Sequence, residues 1–168
     1  MKQFTTILLR GMLGMSLSLG LQAAGLYHAV VAKNPNSLQY ATITEALAQA
    51  PADDSAFSIY IHPGIYRERL TISRANVHLI GAGREQTIIV DHTSAASLKP
   101  DGKRFGTSGS RVVEVTATDF SAQSLTIRND FDYLANEAKA KTDPTRLRHT
   151  QAVALLLGPN SDRSEFYD

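Results

Sequence analysis

The titratable side chains of this 168-residue sequence are scattered along it, and each that invites a chemical reading also has an ordinary one. His28, His62, His78, His92 and His149 show no metal-ligand spacing, so core or surface roles are expected of them rather than ligation. With no cysteine there is no thiolate metal site, no disulfide framework and no lipobox cysteine for a lipid anchor. "GAG" at Gly81 to Gly83 lacks the third glycine and the following helical pattern of a dinucleotide loop, and no Gly-x-Ser-x-Gly elbow is present. "GIYRE" places the Glu68 carboxylate two residues beyond Tyr66 and four beyond Gly64. It reads as a turn glycine leading into a strand, with Glu68 as a general acid the chemical alternative. Arg146 and Arg148, in the charged stretch "NDFDYLANEAKAKTDPTRLRHT", are of the type that pairs with carboxylates, although a solvated loop is the plain reading of such a run.

The elements that must position these groups are mostly strands. One segment reads as a helix, Thr42 to Ala50: Thr42 and Glu45 have capping-box spacing, Ile43, Ala46, Leu47 and Ala50 form one apolar face, and Pro51 ends it. Short strands follow, "SIYIH", "RLTIS", "VHLIG", "TIIVD", "RVVEVTA", "SLTIRN" and "AVALLL". Alternation is clear at Ile59 and Ile61, Leu70 and Ile72, Val77 and Leu79, Leu125 and Ile127, and Val153 and Leu155. The corners between them, "PGIYRE", "SRAN", "GAGREQ" and "TDFSAQ", are compact and irregular, and Asp101-Gly102 sits in a long polar loop rather than between two strands. Even strand lengths with such corners predict a solenoid of stacked coils, a parallel β-helix whose open first coil the Thr42 helix would cover, with a β-sandwich as the structural alternative. Two long loops interrupt the strands, "HTSAASLKPDGKRFGTSGS" and the charged stretch quoted above.

Residues 1–24 have the parts of a secretory signal: Lys2 and Arg10, the apolar "GMLGMSLSLGL", and the small-residue exit "LQAAG". Its removal takes away two basic residues and no acidic one, so the formal charge moves from +1 to −1. A near-neutral remainder, residues 25–168, has no global attraction for nucleic acid. The expectation is an exported protein, secreted or periplasmic, with no membrane association after signal removal.

Taken in order, "ATITEALAQAP", "IHPGIYRERL", "VHLIGAG", "FGTSGSRVVEVTATDFSAQSLTIRND", "TQAVALLL" and "SDRSEF" resemble the N-terminal portion of the pectin methylesterases, bacterial type, over nearly all of residues 25–168. The resemblance implies a right-handed parallel β-helix. It also implies hydrolysis of the C6 methyl esters of pectin galacturonate to methanol and pectate, by an aspartate nucleophile and a second aspartate as acid and base, with glutamine amides stabilising the oxyanion. No metal or organic cofactor is implied; the partner is pectin, and the folded chain is expected to be a monomer. Gln151 matches the first family glutamine, a substrate and oxyanion-hole group, and Thr107 matches a substrate-binding threonine. Each keeps a local alternative: a coil-bridging amide for Gln151, a turn bond for Thr107. Gly64, Tyr66 and Glu68 match a signature read as structural.

The family's later motifs, Gln-Asp and then Asp-Phe-x-Phe-Gly, do not occur in this sequence, and Asp162 and Asp168 lack their flanking residues. No catalytic residue is therefore assigned. The chain is expected to be a fragment without esterase activity as it stands, aggregation-prone, with Val153, Leu155 and Phe166 exposed on its last coil. A non-catalytic polygalacturonate-binding β-helix, with Arg146 and Arg148 facing the ligand's carboxylates, is the alternative.

Overall fold

The computed structural model describes residues 26–168, so the signal reading of 1–24 lies outside the described residues. Among them, no helix is long and apolar enough to cross a membrane. In chain order the elements are β1 (Ala29–Val31), α1 (Ile43–Leu47), β2 (Phe57–Ile61), β3 (Gly64–Arg67), β4 (Leu70–Ile72), β5 (Val77–Gly81), β6 (Thr87–Asp91), α2 (Gly106–Gly109), β7 (Val113–Val115), β8 (Ser121–Gln123), β9 (Thr126–Asn129), α3 (Tyr133–Ala138), β10 (Leu155–Leu157) and β11 (Glu165–Tyr167). They wind into a right-handed parallel β-helix with three sheets, β1-β2-β5-β8-β11, β3-β6-β9 and β4-β7-β10, and every pairing is parallel.

Register stacks like on like. Ile59 pairs with Leu79 and Leu79 with Ala122; Tyr66 pairs with Ile89 and Ile89 with Ile127; Leu70 pairs with Val113 and Val113 with Leu155. Because side chains alternate faces along a strand, this register sends one row of each sheet into a shared core. Most of these rows are buried, and Ile127 and Leu155 pack against the core while partly exposed. The corner after β5 requires glycine: a Cβ on Gly81 would lie 2.2 Å from the Ser124 carbonyl oxygen. Asn76, with φ of 56°, makes the left-handed corner before β5, a conformation asparagine tolerates better than most residues.

Helix α1 covers the first coil, with Ile43 and Ala46 fully buried against β1 and β2. Its capping box is formed as expected, and Glu68 adds a second cap from the adjoining coil. One Glu68 oxygen accepts the Ile43 N–H at 3.0 Å, and the other accepts the Thr44 N–H at 2.9 Å and the Thr44 hydroxyl at 2.8 Å. A carboxylate on a helix's first amides satisfies donors that the helix itself leaves unpaired.

Tyr66, two residues earlier, is buried with the Lys33 ammonium 5.1 Å from its ring centroid, and its hydroxyl donates to the His62 carbonyl at 2.9 Å. Burial, with Glu68 and Tyr60 nearby, pushes that hydroxyl up to about 12. An unfolded tyrosine ionises near ~10. Its contribution to stability is thus fully present below ~10 and is lost as pH rises toward about 12. Tyr66→Phe should cost about 1 kcal/mol at pH 7 through the lost hydrogen bond and shrink the alkaline loss. Urea unfolding at neutral pH and near pH ~11 measures both effects.

Several elements differ from the sequence reading. "GIYR" is strand β3 rather than a corner, and "SAQ" is strand β8, separated from β9 by Ser124 with φ of 52°. In "AVALLL" only Leu155–Leu157 is strand, because the Val112 N–H is shared between the Val153 and Ala154 carbonyls and pulls that segment out of the ladder. On the last coil Val153 and Leu155 are half-buried rather than exposed, while Phe166 is 47 % exposed although it stacks on Ala122. Both long loops carry a short helix that no apolar periodicity announces.

Candidate functional site

The loops of residues 92–112 and 130–154 leave the β-helix at the same place on successive coils, between a strand of the β3-β6-β9 sheet and one of the β4-β7-β10 sheet. Thr107 lies on α2 in the first loop and Gln151 near the end of the second, and both are exposed. Backbone bonds join the two segments: the Ala95 N–H donates to the Gln151 carbonyl at 2.7 Å. Ser110, fully buried, extends the link, its hydroxyl donating to the Thr107 carbonyl at 2.7 Å and accepting the Val153 N–H at 3.1 Å.

Asn129, the last residue of β9, closes the arrangement. Its amide nitrogen donates to the Thr93 carbonyl at 2.8 Å, the Ser110 carbonyl at 3.0 Å and the Val153 carbonyl at 3.4 Å, while its amide oxygen accepts the Phe131 N–H at 3.0 Å. One side chain thereby anchors the start and end of the first loop and the start and end of the second. Sequence spacing gave no sign of Asn129 or Ser110, because apart from Phe131 and Thr107 their partners lie 19 to 43 residues away.

These bonds fix Gln151 through its backbone and leave its side-chain amide without a hydrogen-bond partner among the described residues; the Thr107 hydroxyl likewise has none. An exposed primary amide on an anchored backbone can donate to an anionic oxygen without titrating. A carboxylate nucleophile is a different matter. Asp91 pairs with Arg69 at 3.7 Å, Glu114 with Arg111, Asp130 with Arg67 at 3.3 Å, and Glu137 with Arg146. Asp101, Asp132 and Asp143 accept backbone N–H groups of Lys103, Ala135 and Thr145. Burial pushes the Asp91 carboxyl up, but hydrogen bonds from Thr93 and the neighbouring His92 outweigh it and hold Asp91 below the ordinary carboxylate range. Six of these seven carboxylates are committed to holding structure; Asp130 gives one oxygen to the exposed Arg67, and its other oxygen, Oδ1, is buried with no hydrogen-bond partner among the described residues. Asp168 pairs with Arg84 at 2.8 Å, and the Asp162 carbonyl accepts the Asp119 N–H; both lie at the β1-β2-β5-β8-β11 sheet, a different sheet from the one Gln151 leads into.

Two cavities flank the linked segments. One of about 290 Å³ contains Arg69, whose guanidinium stacks at 4.6 Å over the Phe105 ring, with Lys99 at 5.7 Å from the same ring. Burial lowers Arg69 from its ordinary value, with Asp91 opposing. The other, of about 490 Å³, adjoins Gln151 and is walled by α3 and the chain returning from it. Arg146 there is taken up by Glu137 and by the Lys139 carbonyl at 2.8 Å, so of the two arginines suggested as carboxylate partners only Arg148 has no ion pair among the described residues.

This fold has close counterparts. The pectinesterase family profile matches residues 28–168. The chain belongs to the pectinesterase family. Pectinesterase A of Dickeya dadantii (strain 3937) is 49% identical over 88% of this chain and 40% of its own length, and a Daucus carota pectinesterase is 34% identical over 82% of this chain and 37% of its own. Among solved structures, the pectin methylesterase from Erwinia chrysanthemi superposes with a TM-score of 0.81 at 48% identity, covering 83% of this chain and 41% of that one. A pectin methylesterase crystallised with a hexasaccharide superposes with a TM-score of 0.82, also at 48% identity, over 83% of this chain and 41% of its own. This pectinesterase-family chain spans about 40% of the length of the curated bacterial relatives it matches.

Proposed function

We propose that residues 25–168 form the N-terminal coils of a pectin methyl-ester hydrolase, following a signal peptide at 1–24 that directs the protein to the periplasm or the outside of the cell. Thr107 and Gln151 line the substrate groove. The Gln151 amide donates to the oxyanion that forms when a carboxylate attacks the C6 methyl ester of a galacturonate unit, and methanol leaves. The nucleophile and the acid/base come from further coils, and the chemistry uses side chains alone, with no metal or organic cofactor. Gly64, Tyr66 and Glu68 serve the cap and the core rather than the groove. The β-helix acts as a monomer on methylated polygalacturonate.

The observation that carries this reading is the Gln151 backbone anchored to the Thr107 loop while its side-chain amide has no hydrogen-bond partner among the described residues. Methanol release from methyl-esterified pectin tests it. The 168-residue polypeptide alone should give none above background, and the same polypeptide joined in register to the remaining coils of Dickeya dadantii pectinesterase A should turn over. Turnover by the polypeptide alone would show that a carboxylate assigned to structure is the nucleophile. The alternative, a non-catalytic polygalacturonate-binding β-helix, draws on the unpaired Arg148, and an inactive joined polypeptide that still binds would favour it.

A further inference from the structure

We infer that Arg69 is a positioning residue for Thr107: its guanidinium grips both ends of the helical turn that carries Thr107 and so keeps that residue placed for substrate. The inference rests on the pectin-groove reading above and names what holds one of its two residues in place.

Helix α2 has little to hold it from within. It is a single turn, Gly106–Gly109, with no side-chain hydrogen bond at its N-cap Phe105 among the described residues, and it opens on Gly106 with φ of 72°. So short a helix gains little from its own bonds, and its final carbonyls find no partner inside it. The Ser110 N–H takes the Gly106 and Thr107 carbonyls, both at 3.1 Å, which ties the turn to its own loop. Arg69 ties it to another coil, forty residues earlier in the chain. Its Nη2 donates to the Gly109 carbonyl and its Nε to the Arg111 carbonyl at 3.2 Å, just past the end of the turn. The same guanidinium lies 4.6 Å from the ring centroid of Phe105, just before the start.

Arg69 is itself well placed to act as an anchor. It directly precedes β4, where Leu70 pairs with Val113 and the Leu70 N–H donates to the Val112 carbonyl at 2.8 Å, and its other neighbour, Glu68, is held by α1. Its Nε also lies 3.7 Å from Asp91, the last residue of β6, whose carboxylate accepts the Thr93 N–H at 3.0 Å as the first loop departs. One side chain therefore spans the departure of that loop, the turn bearing Thr107 and the return to β7. The planar fork of a guanidinium can take two carbonyls with adjacent N–H groups while its face meets a ring; an ammonium, a point charge, cannot do both. The cavity of about 290 Å³ beside Arg69, Phe105 and Gly109 gives the turn room to shift when the fork is lost.

Steady-state kinetics of the joined polypeptide on methyl-esterified pectin test this. Arg69→Met keeps the apolar stem and removes the fork; it should raise KM about fivefold with kcat within about twofold of the parent, the pattern of lost uniform binding. Thr107→Ala should raise KM by a similar factor, and the double variant should be no worse than the poorer single one, since both changes remove the same contact. Arg69→Lys should resemble Arg69→Met rather than the parent. Phe105→Leu, which takes away only the ring, should raise KM about twofold and decides the matter if Arg69→Met does not fold. Hydrogen exchange on the 168-residue polypeptide gives a readout independent of turnover: in Arg69→Met, and more weakly in Phe105→Leu, the Ser110 and Arg111 amides should exchange about tenfold faster while those of β5 keep the parent's rate. An Arg69→Met KM equal to the parent's, KM effects that multiply in the double variant, or unchanged exchange at Ser110 and Arg111 would overturn the positioning role while the groove reading stands. A Thr107→Ala variant with the parent's KM would overturn the groove role of Thr107 and this inference with it.

Discussion

With the proposed oxyanion role, Gln151→Ala in the polypeptide joined to the remaining coils of the Dickeya dadantii enzyme should lower kcat by about 10²–10³-fold, the usual consequence of removing one oxyanion donor. The effect falls on kcat more than on KM, since the bond strengthens as charge develops on the carbonyl oxygen and is weak in the ground state. Structural damage does not explain such a loss, because the backbone at this position is held by the Ala95 N–H on the Gln151 carbonyl, a bond that alanine keeps. Gln151→Glu is a sharper variant: it preserves shape but places a negative charge where the oxyanion forms, and activity should fall at least as far as with alanine. The pH profile of the Gln151→Ala enzyme should keep its shape, because an amide does not titrate.

Asn129→Ala produces the largest expected loss of stability, about 3 kcal/mol, because one truncation leaves the Thr93 and Ser110 carbonyls and the Phe131 N–H short of a partner together, while the Val153 carbonyl keeps the Val112 N–H. For a chain of this size that is a drop of roughly 10 °C in the unfolding midpoint. Asn129→Asp is nearly isosteric and keeps an acceptor for Phe131, yet it turns a carboxylate toward three carbonyl oxygens and should be no better tolerated. Ser110→Ala, which removes one donor and one acceptor, should cost less than Asn129→Ala. Thermal unfolding of the three variants ranks them. A stability of Asn129→Ala within 1 kcal/mol of the parent would show that water takes over this anchoring role.

The coils were legible in the sequence because they rest on local periodicity. Ile59 and Ile61, Leu70 and Ile72, and Val77 and Leu79 alternate within single strands, and every one of them is buried. The cap of α1 was legible for the same reason, since Thr42 and Glu45 lie three residues apart. Strand β8 was missed because Ala122 is its sole inward apolar residue; its place is set by pairing with β5 and β11, which leaves no local trace. Strand β3 opens on Gly64 and carries only Tyr66 inward, so its first residue reads as a turn and its length as a corner. Helix α3 has no apolar face, and what holds it is the Asp132 cap and the Asn136 pairing with Leu147, eleven residues on.

The candidate site divides along the same line. Thr107 and Gln151 were identified by resemblance, in segments whose residue types alone fix no chemistry. The bonds that join those segments, the Ala95 N–H on the Gln151 carbonyl and the Val153 N–H on the Ser110 hydroxyl, run between separate loops of some twenty residues, and only the folded chain displays them. Glu68 could be read in the sequence as an acid; in the fold both of its oxygens are taken by α1. Arg146 and Arg148 were equivalent in sequence, and Glu137 separates them.

The proposed role of this chain is to supply the groove and the first oxyanion donor of a pectin methyl-ester hydrolase, with the nucleophile on further coils. Methanol release measured side by side for the 168-residue polypeptide and for the joined polypeptide tests it most directly. Background is expected for the first, and for the second turnover that collapses when Gln151 is replaced. Methanol release by the polypeptide alone, or turnover of the joined polypeptide that is indifferent to Gln151, would contradict it.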